Sequence, residues 1–421
     1  MVFLNKLVLY MMMFFMVIGA IDRILAQYGG SEKILGFIGL GRFGRSIDGS
    51  GAEFEAGFNA MGPVAMGMVG VIALTPVLAK ILGPMVIPLY QLLGADPSMF
   101  ATTILANDMG GYFLAKELAS VNGVTNNAAW MYSGLVLGAL LGPTIAFTIP
   151  VGVGLIDKGD RSYFALGILA GLVTIPIGCL AGGIVAMYSD VMVDKTPVIF
   201  DMKFLLINLI PVILFSLIIG MGLKLFPETM IKAFNAFAKL LLCLITIGLV
   251  AIVIETLTQG EIKIIPGMDP IFMVEGDKPG VDMRAMEVIG AIAILLLGAY
   301  PMVLMLTRWF EKPLVKLASL LSIDNYAAVG MIGSLANILL MFQAMSKMTP
   351  RGKVIAVAFS VSAAWTFGDH LGFTAANKPD MIMAMVVAKL VAGFTALFLA
   401  MIIVRSWKND SVTTDANVEK A

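Results

Sequence analysis

The sequence predicts an all-α polytopic membrane protein with about eleven transmembrane helices in two internal repeats, and three observations carry that prediction. The 421 residues are 59% apolar and only 13% charged, about half the charged share of a soluble domain. Apolar runs of about 20 residues, the length that crosses a bilayer as a helix, recur along the whole chain. Gly reaches 44 residues and Met 31, in keeping with close helix approach and irregular apolar packing. The 28 basic and 28 acidic residues cancel, which removes a basic footprint for nucleic acid or a membrane surface. Disorder is excluded because it needs low hydrophobicity and high net charge. Cys179 and Cys243 lie inside apolar runs and read as small core residues.

The spans follow in order. Leu7–Leu25 comes directly after Lys6 and runs through Asp22 and Arg23. No clear small-residue cleavage site follows it, so it reads as an uncleaved helix. Phe58–Leu82, Ser98–Leu118, Ala128–Val153, Tyr163–Tyr188 and Lys203–Leu225 complete the first part. Phe237–Leu257, Ala285–Trp309, Ala327–Ser346, Lys353–Ala375 and Ile382–Val404 form the second. The apolar loop stretches Ile34–Ile47 and Pro313–Leu321 leave the count open by one or two. Trp130, Trp309 and Trp407 sit at span ends, as an interfacial belt would place them. Lys347, Arg351, Lys353, Arg405 and Lys408 put their connections in the cytoplasm, and the N-terminus outside.

Polar marks of the first half recur in the second. Glu53 pairs with Asp282 and Pro84 with Pro313, both at an offset of 229. Leu105-Ala106-Asn107 returns as Leu335-Ala336-Asn337, and Asp157-Lys158-Gly159-Asp160 as Asn377-Lys378-Pro379-Asp380. This divides the chain into a first transmembrane repeat (1–190), a connector helix (191–233), a second repeat (234–405) and a polar tail (406–421). Two packed repeats around a midplane site are a transporter architecture.

Charges inside lipid are expensive, so each one asks for a reason. Asp108, preceded by Asn107 and followed by Gly110-Gly111, interrupts the third span. Asp369 and His370, the only histidine, stand between Gly368 and Gly372 in the tenth. Trp365, Asp369 and Phe373 are four apart and would share a helix face, offering a carboxylate between rings to an ammonium group. Glu55 and Asn59 share another face, and Asn337 is the repeat counterpart of Asn107. The candidate substrate-binding set is therefore Asp108, Asp369, Asn337, Glu55, His370, Trp365, Asn107 and Asn59. Each has a structural alternative: the amides as interhelical glue, Asp108 as a backbone partner, His370 as a fixed neutral ring, Trp365 as packing. Asp22 and Glu255 at span ends read as solvated or capping, and Lys389 as snorkelling or paired with an acid.

Several motifs carry no chemistry. Gly39-Leu40-Gly41-Arg42-Phe43-Gly44 fits a dinucleotide fingerprint, but no βαβ unit surrounds it. No Walker A sequence, nucleophile–base set or metal-ligand cluster is visible, so neither an enzyme nor a cofactor is expected.

Asp22-Arg23-Ile24-Leu25, Glu55-Ala56-Gly57-Phe58, Asp108-Met109-Gly110-Gly111 and Thr174-Ile175-Pro176-Ile177-Gly178-Cys179 resemble segments of one known family. Gly276-Asp277-Lys278-Pro279-Gly280, Thr307-Arg308-Trp309-Phe310-Glu311-Lys312-Pro313 and Gly368-Asp369-His370-Leu371-Gly372-Phe373 extend the likeness to about residues 5–405. The family is that of the bacterial ethanolamine permeases of the ethanolamine-utilisation system (EutH type). The resemblance implies an inner-membrane transporter feeding a catabolic pathway housed in a microcompartment. Glu55, Asp108, Asn337, Asp369 and His370 match the family pattern, whereas Asn59, Asn107 and Trp365 depart from it. The implied partners are ethanolamine and the lipid bilayer, with no nucleic acid and with a second copy of the chain left open. Facilitated uptake is the first reading and proton coupling through His370 the second. The alternatives are an ion-coupled carrier of another small metabolite, a membrane-embedded enzyme, and a channel or sensor.

Overall fold

The computed structural model describes residues 1–121, 124–277, 283–320 and 322–405. The tail 406–421, with Trp407 and Lys408, lies outside the described residues, as do Asp282 and 278–280. Seven described helices are long and apolar enough to cross a bilayer: Val2–Ala26, Gly41–Leu92, Lys158–Met187, Met202–Leu225, Pro227–Leu257, Ala285–Phe310 and Pro379–Ile403. Asn127–Ala139 and Leu141–Leu155, bent by 44°, add an eighth if the pair is one span. The chain is an all-α polytopic membrane protein. Among the described residues the strands amount to two short hairpins, so no βαβ unit surrounds the glycines at 39–44.

Burial separates peripheral helices from central ones. Val2–Ala26 and Pro227–Leu257 bury 28% of their most apolar window, against 61% for Ala285–Phe310. Phe14, Val17, Ile24, Leu240, Leu242 and Ile247 stand outward, an apolar surface that water would not tolerate and lipid requires. The helix Met61–Leu92 carries Pro76 inside it. Pro76 cannot donate to the Ile72 carbonyl, and the Thr75 hydroxyl takes that acceptor instead at 2.7 Å.

Some expectations change here. Ile34–Ile47 holds two short helices, Ser31–Gly36 and Gly41–Ile47. Residues 313–320 continue the helix Ala285–Leu320 rather than forming a loop. The expected domain boundary at 233/234 falls inside the helix Pro227–Leu257. Asp22 is not solvated; it is buried and accepts hydrogen bonds from the Ser31 hydroxyl and, at 2.8 Å, from the Gly51 N–H. Those bonds tie the connection back to the first helix. Glu255 pairs with Lys263 at 3.3 Å. Trp130 is buried, its Nε1–H donating to the Tyr112 carbonyl at 3.1 Å, so it packs the interior instead of the interface. Cys179 is buried but Cys243 is exposed on an outward helix face.

Candidate functional site

Three further apolar stretches are interrupted in mid-course: Ser98–Ile104 from Gly111–Leu118, Asn325–Ser334 from Ile338–Ala344, and Pro350–Ala363 from Asp369–Asn377. The sequence explains the breaks. Asn and Asp side chains compete with the helix for backbone groups. Asn107 Oδ1 accepts from the Asp108 N–H, and Asn337 Oδ1 from the Leu339 N–H, each at 2.9 Å. Gly110 turns the chain at φ +84, a conformation open to glycine at no steric cost.

The breaks meet each other. The Trp365 N–H donates to the Ser334 carbonyl at 2.9 Å, and the Phe367 N–H to the Leu335 carbonyl at 3.0 Å. A Cβ on Gly368 would lie 2.2 Å from the Ala336 carbonyl oxygen, and one on Gly142 2.0 Å from that of Leu105. Both crossings therefore exclude any side chain at the glycine. Freed backbone groups satisfied by a neighbouring break are how irregular backbone survives at membrane depth.

A cavity of about 240 Å³ opens where the breaks converge, with Pro63, Gly67, Pro143 and Phe147 in its wall. Asp108, Asp369, Asn337, His370 and Trp365, five of the eight sequence candidates, line it. The Tyr300 hydroxyl donates to Asp369 Oδ1 at 3.1 Å. His370 Nε2 lies 3.9 Å from Asp108 Oδ1. The Trp365 ring packs at 5.4 Å from both the His370 ring and Phe147. Two carboxylates, an amide and an aromatic face around a small space suit a small organic cation with one polar end.

The other candidates lie elsewhere. Asn107 is buried beside the cavity but spends its oxygen on the Asp108 backbone. Glu55 is 57% exposed and pairs with Arg23 at 3.4 Å. Asn59 is exposed at the end of the helix Ser50–Asn59, before the cavity wall begins at Pro63. Trp365 does not share a helix face with Asp369, because the helix starts only at Asp369; Trp365 sits in the preceding turn at φ +58 and reaches the cavity from there.

Sequence reasoning missed Tyr300. A hydroxyl-bearing ring directly before Pro301, in the middle of an apolar span, was the available signal. Of the two readings for Lys389, snorkelling is excluded: it is 1% exposed, and its ammonium donates to the Ala139 carbonyl.

There are two cavities besides the first. One, lined by Glu53, Tyr300, Thr307 and Gln343 among others, shares Asn337 with it. The other is lined by Tyr112, Phe113, Lys116, Glu117, Asp269 and Arg284 and reaches Asn377, eight residues or about 12 Å along the helix from Asp369. Between them, Phe373 packs its ring on Tyr112 at 5.5 Å and on Phe113 at 6.5 Å. In the connection that contributes Asp269 and Arg284 to that cavity, burial pushes the Asp269 carboxyl up against the opposing charge of Arg284, 3.3 Å away. Hydrogen bonds from Arg284 hold Asp277 down to about 2.

The chain matches the family described as "Ethanolamine utilisation protein, EutH" over residues 4–403. It is 56% identical over 416 residues to a "Probable ethanolamine permease EutH" of Salmonella typhimurium, covering 99% of both chains. A protein of the same description from Escherichia coli gives the same identity and coverage. One from Listeria monocytogenes is 47% identical over 394 residues, covering 94% of this chain and 92% of its own. No solved structure matches.

Proposed function

The chain belongs to the EutH family of ethanolamine-utilisation proteins, and from that premise we propose that it carries ethanolamine, as the protonated amine, across a bacterial membrane as a multi-pass permease. It is a transporter and not an enzyme. The observation that carries the site is that Asp108 and Asp369, borne by two separate broken helices, line one small cavity.

The chemistry runs as follows. A primary amine is mostly protonated near neutral pH, as lysine is, and the cation crosses lipid poorly. Asp369 and Asp108 supply the negative charge for the ammonium, and Asn337 and Trp365 face the hydroxyethyl body. Tyr300 fixes the Asp369 carboxylate from behind. An inside-negative potential of about 100 mV contributes about 2.3 kcal/mol per charge, enough for roughly fifty-fold accumulation of a cation without a coupling ion. Facilitated uptake is therefore the working mechanism.

The wider architecture follows the same reading. We propose that the seven long apolar helices and four broken stretches act as eleven crossings in two repeats. The breaks at Leu105-Ala106-Asn107 and Leu335-Ala336-Asn337, each met by a glycine of the next stretch, support the repeat. Matched broken helices around a central site are the arrangement that alternating access requires.

Purified protein in liposomes tests the proposal. Vesicles preloaded with ethanolamine should take up labelled ethanolamine by saturable counterflow, unchanged when sodium is removed. Absence of saturable exchange overturns the substrate assignment; dependence on sodium or a proton gradient overturns the uniport.

A further inference from the structure

Glu53 takes no part in the mechanism above, yet it lines a cavity of about 480 Å³. It stands in the first turn of the helix Ser50–Asn59, four residues before Gly57 and on the same face. A Cβ on Gly57 would lie 2.3 Å from the Leu296 carbonyl oxygen, so this face packs directly on the helix Ala285–Leu320. One turn back from Gly57 and one turn forward from Leu296 bring Glu53 and Tyr300 to one cavity. Tyr300 gives its only hydroxyl proton to Asp369 Oδ1 at 3.1 Å, so its oxygen can only accept from a ligand. Asn337 lines this cavity and the Asp369 cavity alike. Thr307 lies seven residues beyond Tyr300, about 10 Å along the helix, and Gln343 is exposed, so the cavity runs from the level of Asp369 to the surface. Arg284, just before the start of the same helix, belongs to the cavity in the opposite direction. Among the described residues no cation forms an ion pair with Glu53; Arg308 Nη1 donates instead to the carbonyls of Ser46 and Asp48.

Resting on the transport reading above, we infer that the Glu53 cavity is a second station for the small organic ammonium, on the opposite side of Asp369 from Arg284. The cation rests there before or after it occupies the Asp369 site. Glu53 is the one charged residue among the described residues that line this cavity. A cleft lined by one sign of charge concentrates the opposite ion, so small cations enter it in preference to anions. The Tyr300 oxygen and the Asn337 amide stand at the boundary with the Asp369 cavity. They keep the ammonium in contact with acceptors as it passes between the two carboxylates, where an apolar wall would leave its charge bare.

Thiol labelling of the purified full chain tests this. Gln343→Cys places a thiol in the cavity, and Cys243→Ala removes the exposed native one, Cys179 being buried. The thiol is treated with 2-aminoethyl methanethiosulfonate, which carries an aminoethyl cation, or with the anionic 2-sulfonatoethyl reagent, each rate taken relative to a free thiol. The cation should react faster. Glu53→Gln should lower the cation-to-anion ratio by about tenfold or more, and Glu53→Asp should retain it. Ethanolamine should slow the cationic reaction, should still slow it after Asp369→Asn, and should not after Glu53→Gln. The Asp369→Asn measurement keeps Glu53 in place, so it holds even where Glu53→Gln is not recovered folded. A ratio unchanged by Glu53→Gln, or protection that disappears with Asp369→Asn, overturns the second station. Failure of the wild-type protein to exchange ethanolamine in liposomes instead overturns the transport reading on which it rests.

Discussion

His370 Nε2 lies 3.9 Å from Asp108 Oδ1, across a gap between two broken helices that sequence separation puts 262 residues apart. That distance is too long for a hydrogen bond and short enough for electrostatic contact. It places the two interrupted stretches on one small space. Neither stretch alone could enclose a cation.

The first prediction concerns the carboxylates. Asp369→Asn removes the charge that faces the ammonium. Breaking a buried ion pair from one side costs about 3 kcal/mol or more, over about a hundred-fold in affinity. Asp108→Asn removes the second carboxylate that lines the cavity and should be equally damaging. Uptake of labelled ethanolamine should be abolished in each while the protein still reaches the membrane. Wild-type-like uptake in both contradicts the site.

A contrasting pair carries the second prediction. Glu55 pairs with Arg23 on an exposed face at 3.4 Å, and Asn59 is exposed nearby. An exposed ion pair is worth about 0–1 kcal/mol. Glu55→Gln and Asn59→Ala should keep the KM for ethanolamine within about threefold of wild type. A hundred-fold rise in either would mean that the substrate path passes this face.

The difference between these two pairs shows how much was legible in the chain. Composition and run length gave the membrane class, because lipid leaves little choice of backbone structure. Scarcity of buried charge singled out Asp108 and Asp369. Glu55 lies off the cavity lining, because the cost of a charge depends on exposure, and periodicity does not say which face of a helix meets lipid, water or a cavity. Trp365 was assigned to a helix face, since the Gly368 interruption does not announce that the helix restarts only at Asp369. The two readings open for Lys389 could not be told apart from sequence for a related reason. Whether a long cation snorkels depends on the close contacts of Gly178 and Gly182 around it, and these are tertiary facts.

The third prediction is a pH dependence outside the membrane. Arg284 hydrogen-bonds Asp277 at 2.8 Å through two nitrogens and holds its carboxyl down to about 2, from 3.8. A carboxyl depressed by folding contributes stability that is fully present above its unfolded value and is lost as pH falls through its folded one. Hydrogen exchange of the connection 258–277, corrected for intrinsic pH dependence, should therefore stay constant down to about pH 4. It should speed up between there and about pH 2. Asp277→Asn should show the faster exchange already at neutral pH. Burial shifts the Asp269 carboxyl the opposite way, so its effect on exchange has the opposite pH sense to that of Asp277.

The last prediction concerns the aromatic partition. Phe373 is fully buried one helical turn beyond Asp369, with its ring against Tyr112 and Phe113. Tyr112 and Phe113 line one cavity, and Asp369 the other. Three rings placed there would close a route between the two cavities along this helix. A carrier needs such a closure, because a continuous path would let the cation run down its gradient without saturation. Phe373→Ala leaves a void the size of a ring and should cost about 3–5 kcal/mol of stability. If the rings act only as packing, the variant should lower the amount of folded protein and leave the saturation curve of what remains unchanged. If they close the route, the folded remainder should show a flux that rises linearly with ethanolamine above the saturable component. Phe373→Leu refills most of the void and should restore both stability and saturation. Liposome flux measured across a wide concentration range, normalised to folded protein, separates the two outcomes, and a linear component absent from Phe373→Ala removes the partition from the mechanism.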